Sequence, residues 1–166
     1  MCSSDLETHL AAIIAGECLA SLAYIEPQSR FNLSHVVTKA EPAGDGWIIN
    51  GFKGVVQGAP SADLLIVSVR TSGDEQSDGG LTMFLVPSDA EGVARRNYPT
   101  IDGFRASEVT LKDVRVGADA VLGDVDGGLS VLQYAIDQGT LGVGSEAVGA
   151  MEVLYKDTVE IGRAHV

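Results

Sequence analysis

The sequence predicts an α+β fold: an antiparallel β-barrel or sandwich middle domain flanked by truncated helical segments. Two observations carry that reading. From His35 to Leu122, short apolar runs recur at strand spacing between turn residues. Glu7 to Ile14 and the chain after Gly127-Gly128 keep helical periodicity instead. The 166 residues suffice for one ordinary domain and not for two large ones.

Leu10, Ala11, Ile13 and Ile14 give the first segment a short amphipathic pattern that stops near Gly16. Cys18 to Ile25 is small and apolar and reads as a strand. It leads into a loop at Glu26-Pro27, because proline holds the residue before it extended. Strands are then expected over 36–40, 47–50, 52–56, 64–70, 81–86, 93–98, 108–111 and 114–116. Asp45-Gly46 and Asn50-Gly51 are short-range turn signals, and Ser72 to Gly80 reads as a solvated hairpin loop. Repeated strands at this spacing argue for an antiparallel barrel or sandwich.

Beyond Gly128, residues Leu129, Leu132, Ile136, Val143, Ala147, Met151 and Leu154 trace one apolar helical face. Gly139, Gly142, Gly144 and Gly149 interrupt it, each costing about 1 kcal/mol against alanine in a helix interior. Either another backbone or a ligand approaches closely there, or the helix breaks between Gly139 and Gly144. A small barrel cannot cover the whole stripe, so its exposure predicts an aggregation-prone chain.

The 23 acidic and 11 basic residues leave a formal charge of −12, which repels phosphate backbones and argues against nucleic-acid binding. The longest apolar run, Leu64 to Val69 broken by Ser68, has strand length, so no membrane span is expected. Cys2 and Cys18 have neither metal nor disulfide-framework spacing, and with no signal or transit pattern the expected location is cytoplasmic. His9 and His35 stand alone, so no metal site is expected. Asp119 and Asp124-Val125-Asp126 read as solvated turn and N-cap acids. Gly79-Gly80 and Gly127-Gly128 read as turns without a phosphate-loop lysine.

The two ends are related through their coding. Glu160 to Val166 back-translates, with one codon choice, to a string containing AGATCGGAAGAGCACAC. Its reverse complement, read from a GTG start, encodes Met1 to Leu6. The string resembles a sequencing-library adapter. Residues 1–6 and 160–166 are therefore expected to be adapter-derived and are set aside from fold reasoning. The remaining organisation reads as the end of an N-terminal helical domain (7–17), a middle β domain (18–124) and the first helix of a C-terminal bundle (125–159).

This order and its local words resemble the middle of an acyl-CoA dehydrogenase. The matching segments are Glu26-Pro27 after an apolar strand, Asp45 to Lys53 (DGWIINGFK), and Ala62-Asp63 before a strand. Further matches are Phe104 to Val109 (FRASEV), Asp113 to Val116 (DVRV), Val121-Leu122-Gly123, and Ala147-Val148-Gly149. The Glu26 to Arg30 variant (EPQSR) is similar to the subgroup containing the small subunit of pimeloyl-CoA dehydrogenase. The resemblance implies an FAD-dependent oxidoreductase that desaturates an acyl-CoA thioester between its α and β carbons. It implies a carboxylate base in the C-terminal bundle, beyond Val159, so no catalytic residue is assigned within the chain. It further implies an acceptor such as an electron-transfer flavoprotein, and a homo- or hetero-oligomeric parent.

Two segments correspond to the family's flavin contacts. In the first, Glu26 and Pro27 match, while Ile25, Arg30, Phe31 and Asn32 stand where the family has threonine, glycine, serine and aspartate. In the second, Val55, Val56 and Gln57 replace tryptophan, isoleucine and threonine. The implied cofactor-binding set is Tyr24, Ile25, Arg30, Phe31, Val55, Val56 and Gln57. Arg30 would offer a planar fork to a pyrophosphate, and Gln57 an amide. Asp137 matches a family aspartate near the CoA arm, though Thr140 stands where an arginine follows. Each position also has a plain reading: Arg30 as a solvated loop charge, Tyr24 and Phe31 as packing, Gln57 as a turn residue, Asp137 as an exposed helix carboxylate. Two functions follow. One is a fragment of a catalytic dehydrogenase, inactive alone; the other is part of a flavin-site-decayed subunit that supports a catalytic partner.

Overall fold

The computed structural model describes the backbone of residues 3–164 and the side chains of residues 9–163. Met1, Cys2, His165 and Val166, all in the adapter-like ends, lie outside the described residues. The chain divides after Leu132 into two compact units.

The first unit opens with α1 (Ser3–Ala15). Gly16 ends it at φ +75°, where its N–H and that of Glu17 cap the carbonyls of Ile13 and Ala12. Eight strands follow: β1 (Ala20–Ala23), β2 (Lys39–Ala43), β3 (Gly46–Gln57), β4 (Leu64–Arg70), β5 (Leu81–Pro87), β6 (Val93–Pro99), β7 (Arg105–Gly117) and β8 (Val121–Leu122). They form one sheet in the order β6-β7-β3-β2-β4-β5-β8, with β1 lying parallel against β4. Apart from that pair and a single parallel step between Lys39 and Arg70, the pairings are antiparallel. Together with the flanking helices this is the expected α+β class, with β6 and β8 as the ends of the path rather than partners in a closed barrel.

β4 and β5 are buried along nearly their whole length, which is why they read as continuous apolar runs. Their Leu65, Val67, Val69, Phe84 and Val86 join Ile49, Val109, Leu111 and Val114 in one core. Trp47 meets Phe84 edge-on, with ring centroids 5.6 Å apart at 71°.

Three expectations are corrected. Asn50-Gly51 is not a turn, because β3 runs through it. A Cβ at Gly51 would lie 2.6 Å from the Thr38 Cα, so the glycine serves a close backbone approach. Residues 108–111 and 114–116 are one strand, β7, with Asp113 at φ +52°. The strand expected over 36–40 begins only at Lys39, since the preceding amides are claimed by other acceptors. Asp126 is an exposed turn acid, as expected, and it also ties the turn to the sheet: its carboxylate accepts from Thr71 Oγ1 at 2.7 Å and its N–H donates to Thr82 Oγ1 at 2.9 Å. The β2–β3 hairpin forms as anticipated, with Gly44 and Asp45 as the loop residues.

α2 (Gly128–Ala164) starts in the first unit, where Leu132 is buried, and supplies the second. It is unbroken through Gly139, Gly142, Gly144 and Gly149. A Cβ added at any of these would meet nothing within 4 Å among the described residues. Among the described residues no helix is long and apolar enough to cross a membrane.

Candidate functional site

The segment after β1 and the end of β3 are stitched together. The Gly54 N–H donates to the Ile25 carbonyl at 2.8 Å, and Ser21 Oγ donates to the Gln57 carbonyl. Residues 21–25 and the 54–57 end of β3 therefore lie side by side on one wall. Between Lys53 and Val56, β3 carries a β-bulge: Lys53 pairs with Val109 and Val56 with Ser107, so Gly54 and Val55 face the single residue Glu108. Val55 sits in the bulge at φ +49°, a region that β-branched residues almost never enter.

Side chains on this wall divide by orientation. Val55 is 46% exposed, Phe31 is 99% exposed, and Arg30 and Gln57 also face solvent. Tyr24 and Ile25 are half-buried. Val56 belongs to the sheet core, which leaves only its main chain for any ligand. Phe31 is not a packing residue, contrary to its plain reading. Arg30 takes φ +49° and has no hydrogen-bond or ion-pair partner among the described residues. Asp137 belongs to the second unit, where its exposed carboxylate accepts from Gln133 Nε2 at 2.8 Å one turn earlier.

Behind the wall is a buried ion pair that the sequence reading did not assign. Lys53 Nζ, with its side chain 0% exposed, lies 2.6 Å from Glu26 Oε1 and donates to Ser68 Oγ at 3.1 Å. Glu26, 3% exposed, also accepts from the N–H groups of Val37 at 2.8 Å and Thr38 at 3.1 Å, and from Gln28 Nε2 at 2.6 Å. Burial alone would raise its pKa. The Lys53 charge and hydrogen bonds from Lys53, Thr38 and Val37 outweigh that and hold it at about 2. Burial lowers the Lys53 ammonium to about 8, although Glu26 pulls it back upward. The available signal was a lysine in strand register with Ile49, where the alternation of β3 points inward.

A second buried cation organises the neighbouring loops. The Arg70 guanidinium donates to the carbonyls of Ser34, Glu75, Ser77 (3.1 Å) and Gly79 (2.6 Å), pinning the 71–80 loop to the 29–38 segment. Desolvation lowers its pKa, against the pull of Asp126, Glu26, Asp74 and Glu75. Among the described residues no group of His, Cys, Asp or Glu could hold a metal ion.

The wall's chemistry fits a flavin dinucleotide. Arg30 would offer an exposed cation to a pyrophosphate, Phe31 and Val55 exposed apolar surface, and Gln57 an amide to a polar ring edge. Residues 21–114 match the family model described as "Acyl-CoA dehydrogenase, middle domain". The chain belongs to the acyl-CoA dehydrogenase family. It is 29% identical over 158 residues to the mitochondrial long-chain specific acyl-CoA dehydrogenase of Mus musculus, covering 93% of this chain and 37% of that protein. It is 30% identical over 162 residues to the 3-(aryl)acrylate reductase of Clostridium sporogenes, covering 95% of this chain and 42% of that one. Among solved structures, the ChsE4-ChsE5 complex from Mycobacterium tuberculosis superposes with a TM-score of 0.75 at 27% identity, covering 81% of this chain and 35% of that one. The chain thus spans about two-fifths of the length of these curated relatives. The flavin-facing candidates fall inside the matched range, whereas Asp137 falls outside it.

Proposed function

We propose that the chain is the β-domain portion of an FAD-dependent acyl-CoA dehydrogenase and forms one wall of its flavin and substrate site. The observation that carries this is the Gly54–Ile25 hydrogen bond, which joins both flavin-facing segments into one surface. Bound FAD would accept the hydride that leaves the acyl β-carbon. Arg30 would hold a phosphate oxygen, Gln57 would fix a polar edge of the ring, and Phe31, Ile25 and Val55 would exclude water beside it. Asp137 would contact the CoA arm. The α-proton would go to a carboxylate base of the parent's C-terminal bundle, at a position beyond Val159, and this chain alone is expected to be inactive.

In this reading the parent is cytoplasmic, works as a homo- or hetero-oligomer, and passes electrons to an acceptor such as an electron-transfer flavoprotein. Sequence similarity to the caffeyl-CoA reductase-Etf complex subunit CarC of Acetobacterium woodii, 27% over 164 residues, supports that acceptor class.

The test is to purify the full-length product of the source gene and add acyl-CoA anaerobically. The expected result is loss of the flavin's visible absorbance, with no turnover by the 166-residue chain alone. Turnover by that chain, or a full-length product that neither holds flavin nor oxidises acyl-CoA, would overturn the reading.

A second reading is favoured by one observation. Ile25 and Val55 place alkyl groups where the family has a hydroxyl and an aromatic ring, as expected of a supporting subunit whose own flavin site has decayed. Stoichiometric, reducible FAD in the full-length product without its partner would exclude it.

A further inference from the structure

The Glu26–Lys53 pair and the Val55 bulge occupy opposite sides of the same short stretch of chain. Glu26 follows Ile25, whose carbonyl accepts from Gly54; Lys53 precedes Gly54, and Val55 follows it. The backbone at Val55 is strained, since a β-branched residue rarely takes φ +49°. Such a conformation persists only where its surroundings over-determine it. Here they do so from three sides: Lys53 is anchored to Glu26 and Ser68, Gly54 to Ile25, and Val56 is locked in the core. The bulge restores the β3–β7 register after the irregularity between Ile49 and Gly51 and turns Val56 into the core, so that pairing is regular again at Val56–Ser107 and Gln57–Ala106. It also pushes Val55 out to solvent, with Gln57 exposed beyond it.

We infer that Glu26 and Lys53 are positioning residues: the buried pair clamps the strained bulge at Val55, and the clamped bulge presents the 55–57 edge and the 25–31 segment to the flavin. This inference rests on the proposed flavin wall. Neither Glu26 nor Lys53 would touch the flavin, as both are sealed from solvent. Their contribution is to set where the main chain of Val55 and Val56 and the amide of Gln57 stand.

The test measures amide exchange of the full-length product of the source gene, site by site, with and without excess FAD. Wild type should show slow exchange at Val37, Thr38 and Gly54, and FAD should slow exchange further at 25–31 and 54–57. Glu26→Gln combined with Lys53→Met should speed exchange at those amides by about tenfold or more, with β4 and β5 unchanged, and abolish the FAD response. Val55→Gly keeps the ion pair and relieves the strain. It should raise the melting temperature while weakening the FAD response. A purely structural pair would leave the FAD response of the folded double variant intact. FAD responses unchanged in both variants would overturn the positioning role alone, whereas a wild-type full-length product without any FAD response at 25–31 and 54–57 would overturn the flavin wall itself.

Discussion

Lys53 Nζ stands 2.6 Å from Glu26 Oε1 with both side chains removed from water. The pair joins the segment after β1 to the interior of β3 at the level where the candidate flavin wall begins. Removing one partner of a buried pair strands a charge, while replacing both avoids that penalty. Glu26→Gln or Lys53→Met alone should therefore each cost about 3–5 kcal/mol. The double variant should unfold within about 2 kcal/mol of wild type. Urea unfolding of all four proteins would check the cycle. Additive losses would mean the side chains are not coupled.

Acid should weaken the fold through the same carboxylate. Folded Glu26 is held at about 2 against an ordinary 4.5, so the unfolded chain binds the proton first as pH falls. Its stabilising contribution is complete above 4.5 and drains away as pH drops toward 2. Lys53 is also depressed, to about 8 from 10.5, so stability attributable to it rises with pH across that interval. Stability measured against pH in wild type and in the double variant should show a shallower acid slope in the variant. Equal slopes would refute the assignment to Glu26.

Arg70 makes a different kind of prediction, because it bonds main-chain carbonyls instead of a carboxylate. Lysine at this position offers a compact ammonium and cannot span acceptors in two loops as the guanidinium does. Arg70→Lys should cost about 3 kcal/mol, with cleavage by protease appearing first in the 71–80 loop. Cleavage elsewhere first would contradict the pinning role.

The strands of the central sheet were legible because β4, β5 and β6 combine apolar or alternating runs with clear turn residues, and they match to within a residue. What was not legible came from pairs distant in sequence. Asn50 and Asp113 clasp each other across a bulge between β3 and β7: Asp113 N–H donates to Asn50 Oδ1 at 2.8 Å, and Asn50 Nδ2 to Asp113 Oδ1 at 3.2 Å. That one contact explains why a turn was expected at Asn50-Gly51 and a strand break before Val114. Likewise Val37 and Thr38 look like strand residues, yet their N–H groups go to the Glu26 carboxylate. For the candidate wall, the residues were found through resemblance, while the burial of Val56 and the exposure of Phe31 depend on the bulge and the loop, which no local pattern encodes.

The glycines of α2 offer a test in the helix itself. With open space at Gly142 and Gly149, alanine should stabilise the isolated chain by about 1 kcal/mol per site. In the full-length product, a helix packed on this face would reverse the sign through steric clash. Thermal melts of both forms would report it. Stabilisation in both forms would mean that nothing approaches these glycines.

The 24–31 segment and the 55–57 edge are proposed to form a single flavin-facing wall. A crystal structure of the full-length product with FAD decides the matter. Flavin is expected in contact with Ile25, Arg30 or Phe31 from one segment and with the main chain of Val55 to Gln57 from the other. Flavin bound elsewhere, or a well-ordered structure that takes up none, would rule the wall out.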